Sequence, residues 1–131
     1  MQSPPVVLVV EEHVELRNVL GVALENEGYE VVFATDEVAA LAILRSRPVD
    51  LLVTDRPELT VGAVDNLGQM EVEFPDLRVV ALEEMGHGPY IFFGPWETSG
   101  ERRILRKPFR LGDLVAACRD ALIVAEPVDA G

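Results

Sequence analysis

The sequence predicts an α/β domain built on one parallel sheet with helices on both faces. Three observations carry that class. The runs VVLVV at Val6–Val10, LLVT at Leu51–Thr54 and VVAL at 79–82 are short, apolar and not alternating, as strands buried on both faces are. Between them, apolar residues recur at helical spacing. Strands that alternate with helices form βαβ units, and these assemble into a doubly wound parallel sheet.

The elements follow in order. After Val10 the period changes, and Leu16, Leu20, Ala23 and Leu24 line one stripe of a first helix. Gly28 stops it, in the position a left-handed terminal residue takes. EVVF at 30–33 is a second strand. Thr35 or Asp36 caps a second helix, with Val38, Leu41, Leu44 and Ile43 expected to face inward, and Pro48 follows it. LLVT is the third strand and runs into Asp55. Pro57, Gly62 and Gly68 punctuate the next stretch, where one short helix is expected over 61–72. VVAL is the fourth strand. MGHGPYIFFGPWETSG at 85–100 has four glycines, two prolines and four aromatics and no helical period, so the fourth helix is expected to be degenerate or replaced by a loop. ILR at 104–106 is a short fifth strand. Leu111, Leu114, Val115, Cys118 and Leu122 mark a last amphipathic helix. One domain is expected over 6–124, with flexible ends at 1–5 and 125–131.

Composition narrows the function. A net charge of −12 argues against direct nucleic-acid binding. No apolar run approaches the ~20 residues of a membrane span, and the N-terminus has no basic region of the signal-peptide kind. The single cysteine, Cys118, excludes an internal disulfide and fits a cytoplasmic protein.

In such sheets the site lies at the carboxyl ends of the strands. Glu11 and Glu12 follow strand one, Asp55 follows strand three, Glu83 follows strand four and Lys107 follows strand five. Carboxylates gathered there suit a hard divalent cation such as Mg²⁺, with a lysine beside them to neutralise a phosphoryl group. A strand-end carboxylate can itself be a nucleophile.

VVEEHVELR, EGYEVVFATDEVAALAIL, VDLLVTD and RKPF, in this order and spacing, resemble the receiver domain of bacterial response regulators over nearly the whole chain. The resemblance implies a flavodoxin-like, CheY-like fold of five strands in the order 2-1-3-4-5. It implies a phosphoacceptor at Asp55, Mg²⁺ held by Glu11, Glu12, Asp55 and the Pro57 carbonyl, and a phosphoryl contact from Lys107. It also implies a cis Lys107-Pro108 peptide. The partners implied are a histidine kinase or phosphotransfer protein upstream and a protein target downstream; if a homodimer forms, the family's usual face for it is that of strands four and five and the last helix.

The sequence departs from that pattern at named positions. The family's acid pair is Asp-Asp or Glu-Asp, and here it is Glu11-Glu12. Where the family has Ser or Thr at the end of strand four, this chain has Glu83, whose charge repels a phosphoryl group carrying about −1.5 to −2. The switch aromatic before the lysine is Ile104.

Two readings follow. One is a stand-alone receiver of a two-component phosphorelay that accepts phosphate on Asp55 and signals by protein contacts. The alternative is a phosphorylation-independent pseudo-receiver, a binding or dimerisation module in which Glu83 pairs with Lys107. A flavodoxin-like ligand domain or enzyme is disfavoured, because no loop has a dinucleotide fingerprint or a P-loop ending. His13 and His87 lack metal-ligand spacing, so His13 is expected to be an ordinary first-turn residue. Cys118 is expected in the core. PYIFFGPW is expected to pack through Ile91 and one of Phe92 and Phe93, with Trp96 left open.

Overall fold

A computed structural model describes residues 3–55, 73–84, 96–99 and 102–125. Along the chain run β1 (Val6–Val10), α1 (Val14–Glu25), β2 (Glu30–Ala34), α2 (Glu37–Ser46), β3 (Leu51–Thr54), β4 (Arg78–Glu84), β5 (Trp96–Ser99), β6 (Arg102–Lys107) and α3 (Leu111–Ala125). The sheet order is β2-β1-β3-β4-β6-β5. The first five strands in that order are mutually parallel. They reproduce the expected 2-1-3-4-5 arrangement.

β5 is an addition that the sequence did not reveal. It pairs antiparallel with β6, Trp96 opposite Leu105 and Ser99 opposite Arg102. WETS is short and polar, and it follows a Gly/Pro-rich run that reads as loop. Trp96 packs against the core, so the aromatic left open is a core contact. The expected helix over 61–72 and the packing of Ile91, Phe92 and Phe93 fall outside the described residues.

Alternation along β1 divides the core in two, because successive strand side chains point to opposite faces. Val7 and Val9 join Leu20 and Leu24 of α1 and Leu114 and Cys118 of α3 on one face. Leu8 and Val10 join Ala40, Leu41 and Leu44 of α2 on the other. Burial on both faces is why these strands are apolar without a break.

Local chemistry sets the helix ends. The Asp36 carboxylate accepts the Ala39 N–H at 2.8 Å, so Asp36 is the cap of α2. Gly28 has φ 91°, the left-handed conformation that lets the chain leave α1 without a Cβ penalty. Val38 corrects the expectation for α2: it is 67% exposed, and the inward face is Ala40, Leu41 and Leu44, with Ile43 partly buried. With the helix starting at Glu37, residues 40, 41 and 44 share one face and 38 lies off it. Leu111 is likewise exposed, and Ala117 and Ala121 complete the α3 stripe.

The fifth parallel strand is longer than expected, six residues with the sequence RRILRK. Its charged composition hides it from pattern reading. Arg103 is 3% exposed, and its Nε donates to Asp120 of α3 at 3.0 Å. The pairing compensates a guanidinium that would otherwise be costly to bury. Arg119 of α3 also pairs with Glu27, beyond the end of α1.

Cys118 sits in the core as expected, and burial pushes its thiol from 9.0 up to about 12. Native protein at about pH 8 should therefore not react with a thiol reagent, while urea-unfolded protein titrates as a single thiol. The sign of the linkage is also set. Between about pH 9 and about pH 12 the unfolded thiol loses its proton first, so stability falls as pH rises. Urea midpoints across that window should drop more steeply in the wild type than in Cys118→Ala.

Candidate functional site

β1 delivers the first acid. The ladder between β1 and β2 runs one residue past the strand, with the Glu11 N–H donating to the Ala34 carbonyl at 3.1 Å. Glu11 is thereby fixed at the carboxyl edge, with a side chain only 1% exposed. Its Oε2 accepts the His13 N–H at 3.3 Å and lies 3.3 Å from His13 Nδ1. Its Oε1 is buried and has no hydrogen-bond partner among the described residues. A buried carboxylate with idle lone pairs costs several kcal/mol unless a cation joins it.

β3 delivers the second. Val10 lies beside Thr54 in the β1–β3 register, so Glu11 and Asp55 leave adjacent strands at the same level. Asp55 is half-buried. One ligand atom each of Glu11, His13 and Asp55 lies within 4.8 Å of the other two. Glu12 points to the surface and is outside this group.

His13 is the residue that sequence reasoning passed over. It occupies the cap position of α1, its carbonyl accepting the Arg17 N–H at 2.9 Å, while its side chain makes no cap bond. The ring turns to Glu11 instead. The available signal was proximity: the turn from a buried strand into a helix returns residue 13 over residue 11.

β4 and β6 complete the edge. β4 extends through Glu84, so Glu83 is in the strand rather than after it, its backbone opposite Arg106. The Glu83 side chain and Pro57 lie outside what is described. Lys107 ends β6, half-buried, opposite Glu84, and the Lys107-Pro108 peptide is cis as the resemblance implied. Ile104 is partly buried in the same strand, opposite Ala81. No described helix is long and apolar enough to cross a membrane.

The residues fit a divalent cation. The buried Glu11 oxygen, unpartnered among the described residues, and the nearby Asp55 carboxylate are hard oxygen donors of the kind Mg²⁺ takes.

The family model described as response regulator receiver domain matches residues 7–119. An NtrX-like response regulator of Rickettsia bellii is 28% identical over 130 residues, covering 94% of this chain and 27% of that protein. The response regulator receiver protein CpdR of Brucella abortus is 27% identical over 119 residues, covering 91% of this chain and 98% of its own. The chain thus spans 27% of the length of the first relative and nearly all of the second. A crystal structure of a response regulator receiver domain protein from Clostridium thermocellum has the same fold. Its TM-score is 0.69 at 21% identity, over 92% of this chain and 95% of that one.

Proposed function

This chain belongs to the response regulator receiver domain family, a module of two-component signalling, and on that premise we propose that it accepts a phosphoryl group on Asp55 from a histidine kinase or phosphotransfer protein. The observation that carries the proposal is the convergence of Glu11 and Asp55 at one sheet edge, with a buried Glu11 oxygen that has no partner among the described residues. Glu11, Asp55 and the Pro57 carbonyl would hold Mg²⁺, while Glu12, expected in that set, points to the surface. When bound, Mg²⁺ supplies positive charge to the non-bridging phosphoryl oxygens.

The chain's own residues do the rest. An Asp55 carboxylate oxygen attacks phosphorus in line with the donor nitrogen. The P–O bond forms as the P–N bond breaks, and the donor imidazole leaves with the electron pair. Lys107, at the end of β6, offsets charge on the transferred group. The changed surface is then read by a protein partner.

The exposure of Glu12 favours a second reading, a pseudo-receiver that binds partners without phosphate. One experiment separates them. With Mg²⁺ and acetyl phosphate, intact-mass spectrometry should show a single phosphoryl adduct that is absent in Asp55→Asn and is lost in hydroxylamine, as an acyl phosphate is. No adduct at millimolar Mg²⁺, with beryllofluoride leaving the NMR spectrum unchanged, would overturn phosphotransfer and support the pseudo-receiver.

A further inference from the structure

Away from the acidic edge, α1 and the start of α3 form a groove of about 420 Å³ lined by Asn18, Val19, Val22, Ala23, Asn26 and Leu111. We infer that this groove seats a second copy of this chain, with two α1 helices packed antiparallel about a two-fold axis at Val22. The contact needs neither a metal ion nor phosphate, so it stands apart from phosphotransfer at Asp55.

Three features of the groove select that occupant. The first is exposed apolar surface. Val22 is 58% exposed, Val19 47% and Leu111 42%. Singly exposed valines are ordinary on a protein surface, but these three residues share one groove. The second is charge. Each copy carries −12, so two copies repel each other over most of their surfaces. No charged side chain lines this groove among the described residues, so like copies can meet here without setting acid against acid. A strongly basic or acidic partner would find no counter-charge in it. The third is the spacing of the amides. Asn18, Val22 and Asn26 are four residues apart along α1, and Asn26, which ends the helix, keeps helical angles of φ −63° and ψ −21°. Residues at that spacing stand in one row. In an antiparallel pair centred on Val22, Asn18 of one copy therefore meets Asn26 of the other, and the contact occurs twice. A carboxamide both donates and accepts, so the two amides satisfy each other. The small valine between them lets the helix axes approach to about 8–10 Å.

Six residues a side is well below the ~20–30 of a stable interface, so the dimer is weak and depends on concentration. Sedimentation equilibrium over a wide range of protein concentration measures it, with thermal melts showing that each variant is folded. Val22→Asp sets two like charges at the axis and should weaken association at least about tenfold. Val38→Asp is the control: Val38 is 67% exposed but lies on α2, across the sheet, and the change should leave association unaltered. Asn18→Asp alone should weaken association, because a carboxylate no longer donates. Adding Asn26→Lys to it should restore association, since the acid of each copy then faces the base of the other. That rescue is specific to the antiparallel register. Added salt should tighten wild-type association by screening the charge of −12 on each copy. A wild type that stays monomeric at every concentration, equal association in Val22→Asp, or no rescue in the double variant overturns the inference. A monomeric wild type in which Val22→Asp slows phosphotransfer from a donor protein gives the groove to that partner and likewise overturns it. Asp55→Asn should associate as the wild type does, which separates failure here from failure of phosphotransfer.

Discussion

Glu11→Met is expected to raise the melting temperature in metal-free buffer and to remove any further rise on adding a divalent ion. The wild-type carboxylate is almost fully buried, and its one described pair of contacts, both through Oε2 to His13, is long at 3.3 Å. Its other oxygen has no partner among the described residues. Methionine has nearly the same length, fills irregular space and needs no hydrogen bond. Exchanging buried ionic groups for apolar ones of similar volume is often neutral or stabilising by about 1–4 kcal/mol. For a domain of this size that is a rise of several degrees. Wild-type protein, in contrast, should gain about 2.7 kcal/mol at an ion concentration of about 100 Kd, because the ion binds only the folded state. Calorimetric melts in EDTA and in excess divalent ion check both halves. A lower melting temperature for Glu11→Met in EDTA would mean that the carboxylate is satisfied without an ion.

Leu114→Ala should lower the unfolding free energy by about 3–5 kcal/mol, a large share of the ~5–15 kcal/mol available to a domain. Leu114 is fully buried on α3 and belongs to the cluster with Leu82 of β4 and Leu105 of β6. Removing its branched end leaves a cavity against a sheet that cannot collapse onto it. Ile123, exposed on the same helix, is the control, and its change to Ala should stay within about 0.5 kcal/mol. Urea unfolding of both variants measures the difference. Equal midpoints would mean that α3 does not clamp β4 and β6.

How much of this was legible follows from what each element exposes to pattern. β1 and β3 were readable to the residue because strands buried on both faces have no choice but to be apolar. The α2 cap, narrowed to Thr35 or Asp36, and the Gly28 terminus were readable because each meets a backbone demand that few residues satisfy. β6 was found only in part, since its inner arginine is compensated by Asp120, seventeen residues later on another element. Val38 was misplaced because an apolar residue in the first turn looks inward until the helix start is known. The address of the site was legible, as the strand ends placed Glu11, Asp55 and Lys107 at one edge. His13 was not, because its approach to Glu11 depends on how the chain turns between strand and helix, which no periodicity encodes.

The short antiparallel strand β5 bears on how the sheet meets other chains. Without it, β6 would be the outer strand, offering six residues of open rungs. With it, β6 is bonded on both sides, and the outer strand has four residues. At about 3.3 Å per residue that template is only about 13 Å long. A short border of this kind, carrying Thr98 exposed, is one of the ways native sheets discourage edge-to-edge aggregation.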